Sequence, residues 1–277
     1  MKEEEGKFSG AGGLEIFWRA WLPDPVRAVC MICHGLGEHS GRYAEVAADL
    51  AQKGLASFAL DHRGHGRSGG KRGHVLAFSE FLDDLDSFRR LVEARAAGKP
   101  VFLIGHSMGG LIAARYAEQS GAGLRGLVLS SAALRVDVDA PAIKLAAGRF
   151  FSKYLPGLTM GNGLDPQMIS HDKKVVDAYI ADPLVHDRVS ARWFTEFTAA
   201  IEAVQKEAGK ITIPVLCMQS GDDKLVAPRG APEFFERLTV KDKKLQVWDG
   251  FYHEMFNEVE RAKPAALMLE WIEEHLR

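Results

Sequence analysis

Short apolar runs alternate with amphipathic segments over the first half of the chain. The runs AVCMICHG, LASFALD and VFLIG are continuously apolar, which is typical of strands buried on both faces of a sheet. Residues 43–53, residues 78–97 and the stretch after Ser107 instead repeat apolar positions at helical spacing. This alternation predicts a mostly parallel sheet with helices on both faces, and residues 14–22 (LEIFWRAWL) are predicted as its edge strand.

The alternation is interrupted between residues 133 and 209. This stretch has no strand-like run, is rich in helix formers and aromatic residues, and carries too much apolar surface for a solvated linker. The alternation then returns with IPVLCMQS, a helix over 231–238, KKLQVWDG and a helix over 262–276. We therefore predict an α/β core formed by residues 1–132 and 210–277, into which residues 133–209 are inserted as a helical cap.

Composition narrows the functional classes. The 277 residues are 47% hydrophobic and have a formal net charge of −2, so the chain can form an extensive core and lacks the basic excess that favours nucleic acid. The amino-terminal MKEEEGKFSG has no apolar segment typical of a secretion signal, and no apolar run approaches the about 18 residues of a membrane-spanning helix. We expect a cytoplasmic protein that can contact membranes peripherally.

Two short motifs raise the question of metal or redox chemistry. Cys30 and Cys33 form a CxxC, but they lie within an apolar run rather than on a turn, and no second ligand pair is evident. His62 and His65 have HxxH spacing, but glycines surround them and Asp61 is the only evident carboxylate. We therefore expect buried strand cysteines, a structural histidine loop, and neither a metal ion nor an organic cofactor.

A serine between glycines lies where a predicted strand meets a predicted helix, in FLIGHSMGG. Gly105 and Gly109 leave room for a sharp turn that projects the Ser107 hydroxyl at the amino end of the helix. Helix N–H groups at that position favour developing negative charge. A Walker-type phosphate loop would need a final Gly-Lys-Ser/Thr, which is absent here. The pattern therefore predicts a nucleophilic serine.

A nucleophilic serine needs a base, and the base needs an acid that orients it. In folds with this turn, the acid and then the histidine follow late strands in the chain. Asp222 and Asp223 follow IPVLCMQS, and His253 is the only histidine between them and the last helix. His253 is therefore the predicted base, and the chain order leaves the choice between the two aspartates open.

Two backbone N–H groups are predicted to stabilise the oxyanion of a tetrahedral intermediate. One is the amide of Met108, directly after the nucleophile. The other is the amide of Leu36 in the loop HGLGEHSGRY, where Gly35 and Gly37 permit a tight turn. Loss of one such donor typically lowers turnover by about 10²–10³.

Several motifs together resemble the monoacylglycerol lipases of the α/β-hydrolase fold. These are HGLGEHSGRY, DHRGHGRSGG, GHSMGG and YHE, with DPQMISHDKKVVDAYIADPLV in the predicted cap, so that the resemblance spans nearly the whole chain. The family has an aspartate two residues before an apolar pair, and DKLV fits this with Asp223, although Ser220 stands where glycine is common. The resemblance also implies polar residues near the alcohol end of the substrate, namely Glu38, Arg42, His106 and Tyr179. The alternative expectation is that Glu38 and His39 brace the oxyanion loop HGLGEHSGRY instead.

The resemblance implies a serine ester hydrolase that cleaves monoacylglycerols or similar single-chain fatty-acid esters through an acyl-enzyme. Enzymatic alternatives of the same fold are a general carboxylesterase, a lysophospholipase and a cofactor-free haloperoxidase. A catalytically silent lipid-binding protein is the non-enzymatic alternative, which an intact serine, acid and histidine disfavour.

The predicted cap contains an apolar helical face in APAIKLAAGRFFSKYLPGL. Two arrangements are compatible with it, packing on the core or a lid that shelters an acyl tunnel and touches a lipid surface. The face consists of Ile143, Ala146, Phe150 and Tyr154, extended by Leu145 and Phe151.

Overall fold

The computed structural model describes residues 1–136 and 148–277 in full, and the helical backbone of residues 142–147. Ten strands are present among these residues. They are β1 (Lys2–Ser9), β2 (Glu15–Leu22), β3 (Ala28–Cys33), β4 (Leu55–Leu60), β5 (Val101–His106), β6 (Gly126–Ser130), β7 (Thr159–Gly161), β8 (Arg188–Ser190), β9 (Val215–Ser220) and β10 (Lys243–Trp248).

One large sheet has the strand order β1-β2-β4-β3-β5-β6-β9-β10. The six strands β4, β3, β5, β6, β9 and β10 run parallel to one another. At one side of the sheet, β2 pairs antiparallel with both β4 and β1. Every residue of β3, β4 and β5 is buried, as their continuous apolar sequences predicted.

Helices cover both faces of this sheet, which confirms the predicted architecture. The helices in the described residues are α1 (Ala44–Ala51), α2 (Ser79–Ala96), α3 (Met108–Ser120), α4 (Ala142–Tyr154), α5 (Lys173–Ala181), α6 (Ala191–Glu207), α7 (Gly230–Arg237) and α8 (Ala262–Glu274). One apolar core includes residues of α2, α3, α6 and α7, and a second core on the opposite face includes residues of α1 and α8. Short 3₁₀ helices span Ala11–Gly13, Ser40–Tyr43, Pro166–Met168, Ala208–Lys210 and Met255–Asn257.

The edge of the sheet differs from the prediction. Residues 14–22 were predicted as an edge strand, but β2 is covered by β1, which pairs with it from Lys2 opposite Leu22 to Ser9 opposite Glu15. The sequence of β1, KEEEGKFS, is so charged that no apolar period reveals it, and charged side chains are common on exposed sheet edges.

The predicted cap, residues 133–209, also differs in one respect. It contains α4, α5 and α6, but β7 and β8 form a second, antiparallel sheet within it, with Thr159 opposite Ser190. The expectation of a cap without strands was therefore wrong. Each of these strands has three residues, which is too short for an alternating pattern to be recognised.

The apolar face predicted on α4 is only partly described. Ile143, Leu145 and Ala146 lie outside the residues whose side chains are described. Phe150 and Tyr154 are 57% and 59% exposed, so these two side chains do not pack on the core. In the described part of the chain, no helix is both long enough and apolar enough to cross a lipid bilayer.

The three cysteines are free and buried, and Cys30 and Cys33 lie within β3. Burial raises the pKa of the Cys30 thiol to about 12, so this side chain stays protonated and unreactive at neutral pH. The interpretation of CxxC as two buried strand residues is confirmed.

Candidate active site

Ser107 lies between β5 and α3, where the chain turns sharply. Its φ of 53° and ψ of −120° belong to a region that L-residues rarely adopt, at a cost on the order of 1–3 kcal/mol. A Cβ atom on Gly105 would lie 2.5 Å from the carbonyl oxygen of Gly109, and one on Gly109 would overlap the carbonyl oxygen of Cys33. Both glycines of the G-x-S-x-G motif are therefore required by close packing around the turn.

His253 and Asp223 form a buried pair. The Nδ1 atom of His253 lies 2.7 Å from Oδ2 of Asp223, and the two residues are 4% and 5% exposed. The other carboxylate oxygen of Asp223 accepts hydrogen bonds from the N–H groups of Leu225 and Val226, at 2.9 and 3.0 Å. Asp222 is exposed. The structure thus brings Asp223, and not Asp222, to the imidazole.

Electrostatics within this pair oppose the effect of burial. Burial disfavours the charged imidazolium, but the attraction and the hydrogen bond of Asp223 raise the pKa of His253 above its ordinary value. Burial likewise disfavours the carboxylate, but His253 and the two backbone N–H groups lower the pKa of Asp223. Asp223 therefore stays ionised and holds the proton of His253 on Nδ1, which leaves Nε2 as the acceptor.

Ser107 and His253 line one cavity of about 720 Å³, a volume typical of small-molecule sites. Within the described residues, no hydrogen bond joins the Ser107 hydroxyl to His253. Bonds between a nucleophile and its base are often long or poorly aligned until the reacting complex forms. The shared cavity and the free Nε2 acceptor nevertheless suit proton transfer between these two side chains.

Leu36 and Met108 line the same cavity next to Ser107. Neither of their backbone N–H groups donates a hydrogen bond to any residue that the structure describes. Met108 is the first residue of α3, and the first N–H groups of a helix have no partner within the helix. Both N–H groups are therefore available to donate to an oxyanion, and their role as its donors stays a prediction.

Glu38 lines the cavity, but its carboxylate is already occupied. Oε1 accepts hydrogen bonds from the Gly35 N–H at 2.6 Å and from the Tyr43 hydroxyl at 2.9 Å. Oε2 accepts from Arg42 at 2.8 Å. Burial opposes its ionisation, but Arg42 and then His106 lower the pKa of Glu38 to about 2. Through these contacts Glu38 holds the loop HGLGEHSGRY in place, which was the alternative expectation to substrate binding.

Arg42 does not line the cavity, unlike the other polar residues that the resemblance implied. Its guanidinium engages Glu38 and Glu254 and lies under the ring of Tyr179, at 4.7 Å from the ring centroid. Tyr179 itself lines the cavity. The direct substrate contact expected of Arg42 is therefore not supported by its surroundings.

His106 and His39 occupy different positions in the site. His106 lines the cavity, its Nδ1 lies 3.0 Å from the carbonyl oxygen of Ser130, and its ring centroid is 4.8 Å from that of His253. Burial and then repulsion from His253 lower the pKa of His106 to about 4, so it is neutral at pH 7. His39 instead lies 2.8 Å from Asp182, outside the cavity lining.

Glu254 is a site residue that the sequence analysis missed. Its two carboxylate oxygens accept hydrogen bonds from Arg42 at 2.6 and 2.7 Å, and it lines the cavity directly after His253 in the chain. The motif YHE contains it, but an acid after the base has no evident partner in sequence. Its partner Arg42 precedes it by 212 residues.

Comparison with known proteins identifies the family. The family described as serine aminopeptidase, S33, matches residues 24–260. A monoacylglycerol lipase of Mycolicibacterium smegmatis is 36% identical, with 98% of both chains covered, and a phospholipase of Bacillus subtilis is 34% identical, with 87% of this chain and 93% of its own covered. The crystal structure of the Paleococcus ferrophilus monoacylglycerol lipase matches with a TM-score of 0.84 at 36% identity, covering 99% of this chain and 100% of the other. The chain therefore belongs to the monoacylglycerol lipase family of the α/β-hydrolase fold, and it is a carboxylic ester hydrolase of the lipase and esterase type, as its motifs predicted.

Proposed function

We propose that this protein hydrolyses monoacylglycerols, or similar single-chain fatty-acid esters, with Ser107 as the nucleophile. The observation that carries the proposal is the buried Asp223–His253 pair, which lies with Ser107 on the wall of one large and mostly apolar cavity. The names of the Mycolicibacterium and Paleococcus relatives support the same substrate class.

The reaction follows from the arrangement of these groups. As Ser107 Oγ attacks the ester carbonyl carbon, Nε2 of His253 accepts its proton, and Asp223 stabilises the imidazolium that forms. The N–H groups of Leu36 and Met108 donate to the oxyanion. His253 then protonates the leaving glycerol oxygen, and a water molecule that gives its proton to His253 hydrolyses the acyl-enzyme. The fatty acid leaves and Ser107 recovers its proton.

The acyl chain is proposed to lie along an apolar wall of the cap. This wall is formed by Val189, Trp193, Phe197 and Ile201. Each buried methylene contributes about 0.8 kcal/mol, so four additional methylenes favour a longer chain by about 3 kcal/mol, or somewhat more than a hundredfold, as long as they stay within the cavity.

The charges on the cavity wall favour a neutral head group. The described lining contains no lysine or arginine, and it contains the carboxylates of Glu38, Asp165, Asp182, Asp187, Glu202 and Glu254. Glu38 and Glu254 are paired with Arg42 behind the wall, but a phosphate in the cavity meets no lining cation and is repelled by the remaining carboxylates. This distinguishes the proposed substrate from the phospholipids on which the Bacillus relative is named to act.

Head-group selectivity tests the proposal. With the acyl chain fixed as lauroyl, kcat/KM for monolauroylglycerol is expected to exceed that for lauroyl lysophosphatidic acid by about 10-fold or more, because like charges near a protein surface interact with a few kcal/mol. Raising the salt concentration should reduce the difference. Assays of fatty-acid release give both values. Equal turnover of the phosphate ester would support a lysophospholipase, and a preference for short p-nitrophenyl esters over both would support a general carboxylesterase.

We also propose that the cap contacts a lipid surface, while the cytoplasmic location remains a prediction. Several apolar side chains of the cap are 41–59% exposed: Phe150, Tyr154, Leu155, Leu158, Met160, Leu164 and Ile180. Leu164 and Ile180 also line the cavity, so the exposed apolar surface continues into the site. A lipid could pass from a bilayer into the cavity along this surface without full exposure to water.

Acidic substitutions on this surface are expected to lower the hydrolysis of a substrate in vesicles but not the hydrolysis of a dissolved substrate. The double variant Leu155→Asp/Leu158→Asp should lower turnover of monoacylglycerol in vesicles by about 10-fold, since each lost apolar contact with lipid weakens binding by about 1 kcal/mol or more. Turnover of dissolved p-nitrophenyl butyrate should stay unchanged. Val259→Asp, at a 70% exposed apolar residue outside the cap, is the matched control. An equal loss on both substrates, or a loss on neither, would refute the contact.

A further inference from the structure

We propose that Arg42 and Glu254 form a positioning pair that holds the oxyanion loop, residues 34–42, in register with the catalytic imidazole. This inference rests on the proposed function, because it requires the Leu36 N–H and His253 to act on the same ester. Glu254 then has a positioning role. Arg42 affects the reaction through the groups that it holds, and not by contacting the substrate.

The pair is buried and bidentate. Two N–H groups of Arg42 donate to the two oxygens of Glu254, at 2.6 and 2.7 Å, and the side chains are 10% and 7% exposed. Such a fork fixes both the distance and the relative orientation of two groups. It therefore restrains the loop that carries Arg42 against the loop that carries Glu254.

Each end of the pair is connected to a reacting group by a short path. Arg42 also donates to Glu38 at 2.8 Å, and Glu38 accepts the Gly35 N–H at 2.6 Å. Gly35 directly precedes Leu36, whose N–H is a proposed oxyanion donor. At the other end, Glu254 directly follows His253. The hydrogen bonds therefore connect the oxyanion donor to the base across 212 residues of sequence.

The cap contacts the same pair. The backbone N–H of Glu254 donates to the carbonyl oxygen of Ile169 at 2.8 Å, and the ring of Tyr179 lies over the Arg42 guanidinium. Asn257 adds a further hydrogen bond to the Glu254 carboxylate, at 2.8 Å. The oxyanion loop, the loop that carries His253 and Glu254, and the cap thus meet at these two side chains.

Geometry explains this pair better than stability does. Apolar residues of similar volume often stabilise a core as well as a buried ion pair does, so burial of these charges is weak evidence for a stabilising role.

Glu254 also acts on the base electrostatically. The ionisable groups that influence His253 are Asp223, Glu254, Glu38 and the neighbouring His106, and the first three raise its pKa.

Two variants of Glu254 separate the effect of side-chain length from the effect of charge. Glu254→Gln keeps the side-chain length but removes the charge, and its amide nitrogen cannot accept from Arg42, so the fork is lost. We expect kcat to fall by about 10²-fold, the effect of one misplaced oxyanion donor, with KM nearly unchanged. The lower limit of the kcat/KM–pH profile should move to lower pH, because His253 loses one carboxylate that raises its pKa. Glu254→Asp keeps the charge but shortens the reach, so kcat should fall without that pH shift.

A double variant and a matched control complete the test. Arg42→Lys cannot form the fork, so it should lower kcat as Glu254→Gln does, and the two changes together should cost little more than either alone. Arg63 forms a similar buried fork with Asp84, at 2.7 and 2.9 Å, away from the cavity lining. Arg63→Lys should therefore lower the melting temperature while kcat and the pH profile stay as in the wild type.

These experiments distinguish failure of the positioning role from failure of the proposed function. If Ser107→Ala is inactive but Glu254→Gln keeps wild-type kcat and an unchanged pH limit, the positioning role is wrong and the proposed function stands. If Glu254→Gln and Arg63→Lys lower stability alike and neither changes kcat, the pair is merely structural. If Ser107→Ala stays active, the proposed function itself fails.

Discussion

Ser107→Ala is expected to lower kcat by about 10⁵-fold or more, the largest effect of any single change in this protein. Alanine keeps the Cβ atom and the backbone of the turn, so the folded structure should be retained. The proposed oxyanion donors and the cavity remain, and they sustain only the small residual catalysis of an enzyme without its nucleophile. Steady-state hydrolysis of monolauroylglycerol and a thermal melt measure the two properties separately.

A serine away from the cavity provides the control for this variant. Ser87 lies on α2, where its hydroxyl accepts a hydrogen bond from Arg90, and Ser87→Ala should keep wild-type turnover. Substantial activity of Ser107→Ala, after exclusion of a contaminating esterase, would contradict the assignment of the nucleophile.

Asp223→Asn is expected to lower kcat by about 10⁴-fold, the second largest effect. An amide at this position favours the wrong tautomer of His253 and no longer stabilises the imidazolium. The pKa of His253 should also fall, because the strongest attraction that raises it is lost. Since the base must be neutral to act, the residual activity should persist to lower pH than in the wild type.

Asp222→Asn is the natural control, because it makes the same chemical change one residue earlier. Asp222 is exposed and does not contact His253 in the structure, so kcat and its pH profile should stay near the wild type. Measurement of both variants with one soluble ester compares them directly. A larger loss for Asp222→Asn than for Asp223→Asn would show that the wrong acid has been assigned.

Local patterns account for the features that the sequence could predict. The buried strands β3, β4 and β5 are continuous apolar runs, and the turn at Ser107 needs small neighbours at fixed positions. Such features depend on residues that are close in the chain. The contact between Asp223 and His253 could be predicted as well, because their order follows from the order of the strands in this fold.

Local sequence patterns do not decide between Asp222 and Asp223. Both acids follow β9, and only the resemblance to a family favoured the second. In the structure the difference is burial, since Asp223 is 5% exposed beside His253 and Asp222 is exposed. The direction of a side chain in a loop depends on what packs around it, which spacing does not encode.

The features that sequence analysis missed depend on distant partners or carry no apolar period. The strand β1 is held by its pairing with β2, and its charges conceal its alternation. The strands β7 and β8 are too short to show a period. The contact between Arg42 and Glu254 joins residues 212 positions apart, and nothing near either residue indicates the other.

A crystal structure of the protein after reaction with a long-chain alkyl phosphonate is the sharpest test of Ser107 as the nucleophile. We expect a bond between phosphorus and Oγ of Ser107, and a phosphoryl oxygen about 2.7–3.1 Å from the N atoms of both Leu36 and Met108. Nε2 of His253 should lie within hydrogen-bond reach of Oγ, and the alkyl chain should lie against Trp193 and Phe197. An adduct on another residue, or an imidazole at position 253 that stays out of reach of Oγ, would contradict the roles proposed for Ser107 and His253.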